Sequence, residues 1–272
     1  MTTINLGSIS NLSKQSLALD KLLGVKQNIT YDFYENGSLA IFGEVDSGRE
    51  VLINNIVLQL LYQHKHVICF DSKKILFNNL RYIPKTDIIN EYNQIDAIIE
   101  ILYEKSHNRL NMLYNINNEN INMSNYTFNT YNNDYNYQLN EIYLCLNEFD
   151  VSYNSELVKK LEFINQNSTK TGIFIIVCSS NILNNLSYIS TINSHILMRY
   201  DLSKFITMLT SDNESLFLYE QDHFSTMRNV IKKFKHCQAL LVNNYKNTTS
   251  DIFKVPFISD DESSELLQQL IN

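Results

Sequence analysis

One junction limits the folds open to this chain. The apolar run Ser38-Leu39-Ala40-Ile41-Phe42 passes into "GEVDSGRE", residues 43–50, and then into "VLINNIVLQLLYQHK", residues 51–65. The last stretch places Val51, Leu52, Ile56, Val57, Leu60 and Leu61 at helical spacing. A short buried strand is therefore expected to turn through a glycine-bearing loop directly into a helix. Gly43 and Gly48 stand at the spacing of a phosphate-cradling loop, G-x-x-x-x-G-K-[ST], and strand–loop–helix is the setting such a loop requires. The chemistry inside that frame differs. Arg49 stands at the lysine position and Glu50 at the Ser/Thr position, Glu44 and Asp46 add negative charge, and Val45 and Ser47 complete the loop.

The remaining chain alternates strand and helix patterns. "HVICFDS" is a continuous apolar strand ending in Asp71, as expected for a strand covered on both faces. Residues 93–115 carry Ile95, Ile98, Ile99, Leu102, Leu110 and Leu113 on one face of a long helix. "EIYLCLNE" reads as a strand, "NSELVKKLEFINQN" as a helix, and "GIFIIVCSS" and "SHILMRY" as strands. Such alternation predicts an α/β fold with a mostly parallel central sheet flanked by helices. Residues 116–138, rich in Asn and Tyr, are expected to form a surface insertion or mobile loop. Farther on, "ESLFLYE" and "QALLVNN" look like strands, and "DDESSELLQQLI" like a closing helix with Asp260 or Asp261 as its cap. No repeat and no Gly/Pro/Ser-rich linker interrupts the sequence, so one domain over 1–272 is expected. Strand-like "INLG" follows the first three residues, as in a compact domain or a trimmed fragment.

Composition removes several classes. The net charge of −7 argues against a nucleic-acid binder, which carries a basic surface. No apolar run reaches the roughly 20 residues of a membrane span, and no signal-peptide pattern opens the chain. Cys69, Cys145, Cys178 and Cys237 are far apart in sequence and three lie in apolar runs, so buried free thiols are expected rather than a metal site. The six histidines form no helical ligand pair, and no metal site is assigned. The segment "YTFNTYNNDYNY" lacks the interleaved basic residues of a base-stacking surface.

A working phosphate loop needs backbone N–H groups around the phosphates, a lysine, a hydroxyl on Mg²⁺, and an aspartate at the end of another strand. Gly43 and Gly48 keep the backbone part. Arg49 keeps the charge but is bulkier and planar. Glu50 replaces the hydroxyl with a carboxylate. At the end of "EIYLCLNEFD" the metal-binding aspartate position holds Asn147, and Glu148 remains beside it. Asparagine lacks the charge that holds Mg²⁺. Three altered positions together speak against hydrolysis, and no catalytic residue is assigned.

The ordered series "GEVDSGREVLINNIVLQLL", "VICFDSKK", "EKSHNRLNMLY", "IYLCLNEFD" and "TGIFIIVCSSN" resembles the FtsK/SpoIIIE-type ATPases. The family's strand ending in Asp-x-Lys corresponds to Asp71-Ser72-Lys73, its helix with a late arginine to Arg109, and its polar sensor to Ser179-Ser180-Asn181. Within the family, the chain is most similar to the C-terminal, third and degenerate ATPase domain of type VII secretion coupling proteins. The resemblance implies a RecA-like P-loop NTPase fold at the cytoplasmic face of a bacterial membrane, anchored through the rest of a longer protein. It implies a nucleotide-pocket remnant at Gly43–Glu50, Asn147, Glu148 and Asn181. No cofactor is expected, ATP with Mg²⁺ at most weakly. The implied partners are secreted WXG-motif substrate proteins and neighbouring ATPase domains, and no nucleic acid.

Two regions offer themselves to such partners. The basic cluster "RNVIKKFKH" holds Lys232, Lys233 and Lys235; it meets an acidic partner or is a solvated helix face. The last helix would present Leu266, Leu267, Leu270 and Ile271 to a partner helix or to the domain's own core. A second reading is an enzyme: a slow or conditional ATPase motor powering secretion, with Arg49 in place of lysine and a partner supplying the missing groups. A DNA-translocating motor is disfavoured by the acidic charge.

Overall fold

The computed structural model of the protein describes residues 2–9, 28–116, 128, 132, 139–151, 154–181, 186–199, 234, 237–243, 249–255 and 268. Among the described residues ten strands form one sheet: β1 (Thr3–Ile9), β2 (Asn28–Asp32), β3 (Leu39–Phe42), β4 (His66–Asp71), β5 (Thr86–Ile89), β6 (Ile142–Asn147), β7 (Ile173–Ser179), β8 (Ser194–Met198), β9 (Gln238–Asn243) and β10 (Thr249–Lys254). Their spatial order is β2-β1-β10-β9-β8-β3-β7-β6-β4-β5. The run from β8 to β5 is parallel throughout, and β9, β10, β1 and β2 extend it antiparallel. The helices are α1 (Phe33–Asn36), α2 (Arg49–Tyr62), α3 (Tyr92–Ile116), α4 (Ser155–Gln166), α5 (Ser168–Thr171) and α6 (Leu186–Ser190).

The central strands are apolar along most of their length because both faces are covered, with polar residues chiefly at their ends. Alternate residues feed two separate cores. Leu39, Ile41, Cys69, Cys145 and Ile176 pack with Leu52, Ile53, Ile56 and Val57 of α2. Ala40, Phe42, Ile68, Leu144 and Val177 pack on the other face with Ile95, Ile99 and Leu102 of α3 and Leu157, Leu161 and Ile164 of α4. The long helix α3 continues past Leu113 to Ile116. Of the segment expected as an insertion, Phe128 and Asn132 are described as helical, and Phe128 is buried. The four cysteines are buried and free.

Three strands escaped the sequence pattern. β2 ("NITYD") and β10 ("TSDIFK") are too polar, and β5 ("TDII") too short, to announce themselves. The first two lie in the antiparallel part of the sheet and β5 at its outer edge, where two-sided apolarity is not demanded. The "ESLFLYE" strand and nearly all of the closing helix lie outside the described residues; Gln268 within the latter is helical.

Candidate functional site

Strand registry brings the carboxyl ends of the parallel strands together. Phe42 stands beside Ser179 and Leu197, Asn147 beside Asp71 and Cys178. In open α/β sheets this is the edge at which ligands bind. The loop 43–48 leaves β3 here and enters α2. It is held from three sides: the Gly43 amide donates to the Ser179 carbonyl (3.4 Å), the Glu44 amide to the Arg199 carbonyl (2.9 Å), and the Cys237 amide to the Ser47 carbonyl (3.0 Å). Gly48 has φ +94°, and a Cβ there would lie 2.7 Å from Cys237 Sγ, so both conformation and space demand glycine. A Cβ on Gly43 would lie 2.2 Å from Ser47 Oγ, which fills the turn's interior. Glu44, Val45 and Asp46 form an exposed tip. Arg199, just past β8, clamps that tip: its Nη2 donates to the Val45 carbonyl (2.9 Å) and its Nε lies 3.7 Å from Glu44 Oε2.

Arg49 is the first residue of α2, where the helix dipole disfavours a cation. Its side chain is nevertheless 5% exposed and forms an ion pair with Glu148, with Glu50 Oε1 3.6 Å from Nη2. The acids compensate what the dipole opposes. Glu148 follows β6 at φ 50°, a left-handed backbone that is uncommon for a residue with a Cβ. Its amide donates to the Cys178 carbonyl (2.8 Å), and its carboxylate accepts from the Ser180 amide (3.2 Å) and the Ser179 hydroxyl (3.5 Å). Ser179 Oγ also accepts from the Asn181 amide (3.0 Å). The loop, Glu148 and Asn181 are thus one connected site. Burial pushes the neighbouring Cys178 thiol up to about 12, against the pull of Arg49, so it stays protonated.

Asn147 turns elsewhere. Its Nδ2 donates to Asp71 Oδ1 (3.3 Å), while the buried Asp71 carboxylate also accepts from the amides of Lys73 (3.2 Å), Ile75 (2.9 Å) and Leu76 (2.8 Å). The amide at 147 is matched to the carboxylate at 71. An aspartate at that position would confront it.

These residues do not fit a hydrolysis-competent Mg²⁺-ATP. Glu50, at the hydroxyl position, is half exposed and offers a carboxylate. Asn147 is neutral and engaged by Asp71. The amides of Gly43, Glu44 and Ser47 already donate to backbone carbonyls. Among the described residues no cluster of three or more His, Cys, Asp or Glu is placed to hold a metal ion.

Two other positions matched by motif are not in the site. Lys73 is exposed on the loop beyond Asp71. Arg109 lies at the opposite, amino end of the strands, where Nη1 donates to the Thr171 carbonyl (2.6 Å) and Nη2 to that of Asn140 (2.8 Å). Lys232, Lys233, Lys235, Leu266, Leu267 and Leu270 lie outside the described residues. Sequence reading missed Arg199 and Cys237, which reach the loop only through the β8–β9 neighbourhood. For Arg199 the signal was its place directly after an apolar strand.

A glycine loop between the central parallel strand and a helix, with acid-bearing strand ends beside it, defines the RecA-like P-loop ATPase fold. Among solved structures, the chain is similar to EssC (ATPases 2 and 3) from Geobacillus thermodenitrificans, with a TM-score of 0.70 at 16% identity, covering 100% of this chain and 48% of that one. It is similar to the pCW3 conjugation coupling protein TcpA in its monomer form with ATPγS, at TM-score 0.69 and 18% identity over 98% and 70% of the chains. It is also similar to Thermomonospora curvata EccC (ATPases 2 and 3) in complex with a signal sequence peptide, at TM-score 0.63 and 10% identity over 95% and 41%. The chain spans less than half of the EssC and EccC structures. No family model and no curated protein matches the sequence. The fold is the RecA-like P-loop NTPase fold that the motif order led one to expect.

Proposed function

We propose that this chain is an ATPase-type domain of a type VII secretion coupling protein that no longer hydrolyses ATP. It works by contact with secreted substrate proteins or with neighbouring ATPase domains. Its place is the cytoplasmic face of the membrane, reached through the rest of a longer protein. The observation that carries this reading is the ion pair between buried Arg49 and Glu148. The lysine position of a phosphate loop must be free to meet the β- and γ-phosphates, and the glutamate must be free to orient water. Here the two neutralise each other. The EccC structure with a signal sequence peptide supports a contact role by likeness of fold.

Titration of the chain with Mg²⁺-ATP, alongside a phosphate-release assay, tests this. No turnover above background is expected. Turnover that disappears in Glu148→Gln would overturn the reading in favour of a slow ATPase.

A further inference from the structure

We infer that the connection between β4 and β5, residues 72–85, is a docking platform for an acidic, partly apolar segment of a partner protein. The inference rests on the contact role proposed above and gives that role a surface and a partner chemistry. The segment reads "SKKILFNNLRYIPK": Lys73, Lys74, Arg81 and Lys85 with no acid, inside a chain of net charge −7. Positive charge is therefore concentrated here against the trend of the whole molecule.

The segment is a built surface. Phe77, Leu80 and Ile83 are buried in the core on the α2 side. Asp71 grips the amides of Lys73, Ile75 and Leu76. The Asn78 side chain donates to the Lys74 carbonyl (2.8 Å), and the Leu80 and Ile83 amides close successive turns on Phe77 and Leu80 (3.0 Å each). A pinned backbone loses little freedom on binding. From it Tyr82 and Ile75 project at 83% and 76% exposure, the two most exposed large hydrophobics among the described residues. Scattered exposed apolar residues are ordinary. Here both share one pinned segment with exposed Lys73 and Arg81, neither of which has an acidic partner among the described residues, whereas Lys74 is occupied by Glu91 (2.8 Å) and Lys85 by the His64 carbonyl (3.1 Å).

Charge complementarity calls for carboxylates on the partner, and Ile75 and Tyr82 call for apolar side chains between them. Two uncommitted cations are too few for a nucleic-acid backbone, which is held by many phosphate contacts.

The test uses the full chain and a short fluorescein-labelled peptide of Glu, Leu and Phe. Its Lys-for-Glu counterpart, single-stranded oligo-dT and phosphatidylglycerol vesicles serve as competing chemistries. Saturable, salt-sensitive binding to the acidic peptide is expected. It should weaken about tenfold in Lys73→Glu/Arg81→Glu and by a comparable factor in Ile75→Ser/Tyr82→Ser. All four side chains are exposed, so thermal midpoints should hold and report intact folding. Absence of saturable binding, unchanged affinity in either double variant, or tighter binding of oligo-dT or vesicles would overturn the platform. Phosphate release on the same samples separates the outcomes: failed docking without turnover removes the platform alone, whereas turnover removes the reading beneath it.

Discussion

The two ends of the parallel strands handle buried charge differently. At the amino end, Glu141 accepts from Thr2 Oγ1 (2.5 Å), from Tyr143 Oη (2.8 Å) and from the Tyr34 hydroxyl, and pairs with Lys65 Nζ (2.9 Å). Arg109 there binds two carbonyls and lies 5.1 Å over the Phe128 ring. At the carboxyl end, Arg49 depends chiefly on Glu148, which itself holds a left-handed backbone (φ 50°) costing about 1 kcal/mol for a residue with a Cβ. The amino end is cement, over-determined by several fixed partners. At the carboxyl end Asp71 is held as firmly, by three backbone amides and Asn147, whereas buried Arg49 rests chiefly on one carboxylate.

The largest effect is expected at the cement. Glu141→Ala leaves several donors without an acceptor in a half-buried setting and should destabilise the protein by about 3–4 kcal/mol, read as a lowered denaturation midpoint at constant slope. Burial opposes ionisation of Glu141, but bonds from Thr2, Tyr34, Lys65 and Tyr143 outweigh it and hold its carboxyl below the ordinary value. Its contribution is therefore complete above the unfolded-state pKa and is lost as the pH falls through the lower folded one. If Glu141→Ala were no worse than a surface change, the contrast between the two ends would collapse.

Next comes the pair that closes the site. Arg49→Ala strands a carboxylate that is 17% exposed at a strained position, and about 2–3 kcal/mol of stability should be lost. Arg49→Ala/Glu148→Ala should lose less than the sum of the single changes, because neither charge is then left alone. Strict additivity in that cycle would show that the two groups do not act as a unit.

His195 sharpens the comparison from beneath the loop. It is fully buried on β8, its ring 5.9 Å from and nearly parallel to that of Phe42. Burial, partly offset by the Ile189 carbonyl, lowers its pKa to about 3. The unfolded chain binds the proton more readily, so stability is complete above about pH 6.5 and falls as the pH drops toward the folded value. At about pH 5 the loss should approach 2 kcal/mol, and His195→Phe should abolish it. This window opens above that of Glu141 and overlaps it at its lower end, so the decline in stability should begin near pH 6.5 and steepen once Glu141 takes up its proton.

The phosphate-loop frame was legible in the sequence because Gly43 and Gly48 bracket a fixed length between a strand and a helix. The parallel strands β3, β4, β6, β7 and β8 were legible because burial on both faces leaves them almost wholly apolar; the short parallel edge strand β5 was not. Of the antiparallel extension, β1 and β9 were legible but β2 and β10 were not: both are selected by pairing with β1, and that pairing leaves no periodic mark. Nor could the sequence tell that Arg49 folds onto Glu148, since 99 positions separate them and only the β6–β7–β3 order brings them together. Asn147 was read as a lost metal ligand. Its role as a donor to Asp71 needed the registry of β4 and β6.

That registry sets the smallest and most discriminating expectation. Asn147→Asp replaces the amide 3.3 Å from Asp71 Oδ1 with a carboxylate. Two like charges at that separation repel, but Asp71 retains its three backbone donors, so about 1 kcal/mol of destabilisation is expected near neutral pH. It should fade as the pH falls and one carboxyl takes up a proton, and Asp71→Asn in the same background should remove it. The change also belongs to the triple variant Arg49→Lys, Glu50→Thr, Asn147→Asp, which rebuilds the loop's missing groups. In that variant the ion pair becomes weaker and non-planar, the hydroxyl returns, and Mg²⁺ would relieve the very repulsion that the new carboxylate introduces. Nucleotide binding by calorimetry should therefore appear only with Mg²⁺ present, and Mg²⁺-ATP should raise the variant's denaturation midpoint. A folded triple variant that binds nothing would mean that the loop backbone, tied to Ser179, Arg199 and Cys237, has itself lost the shape of a phosphate cradle, and that the ion pair is a consequence of that change rather than the lock on a usable site.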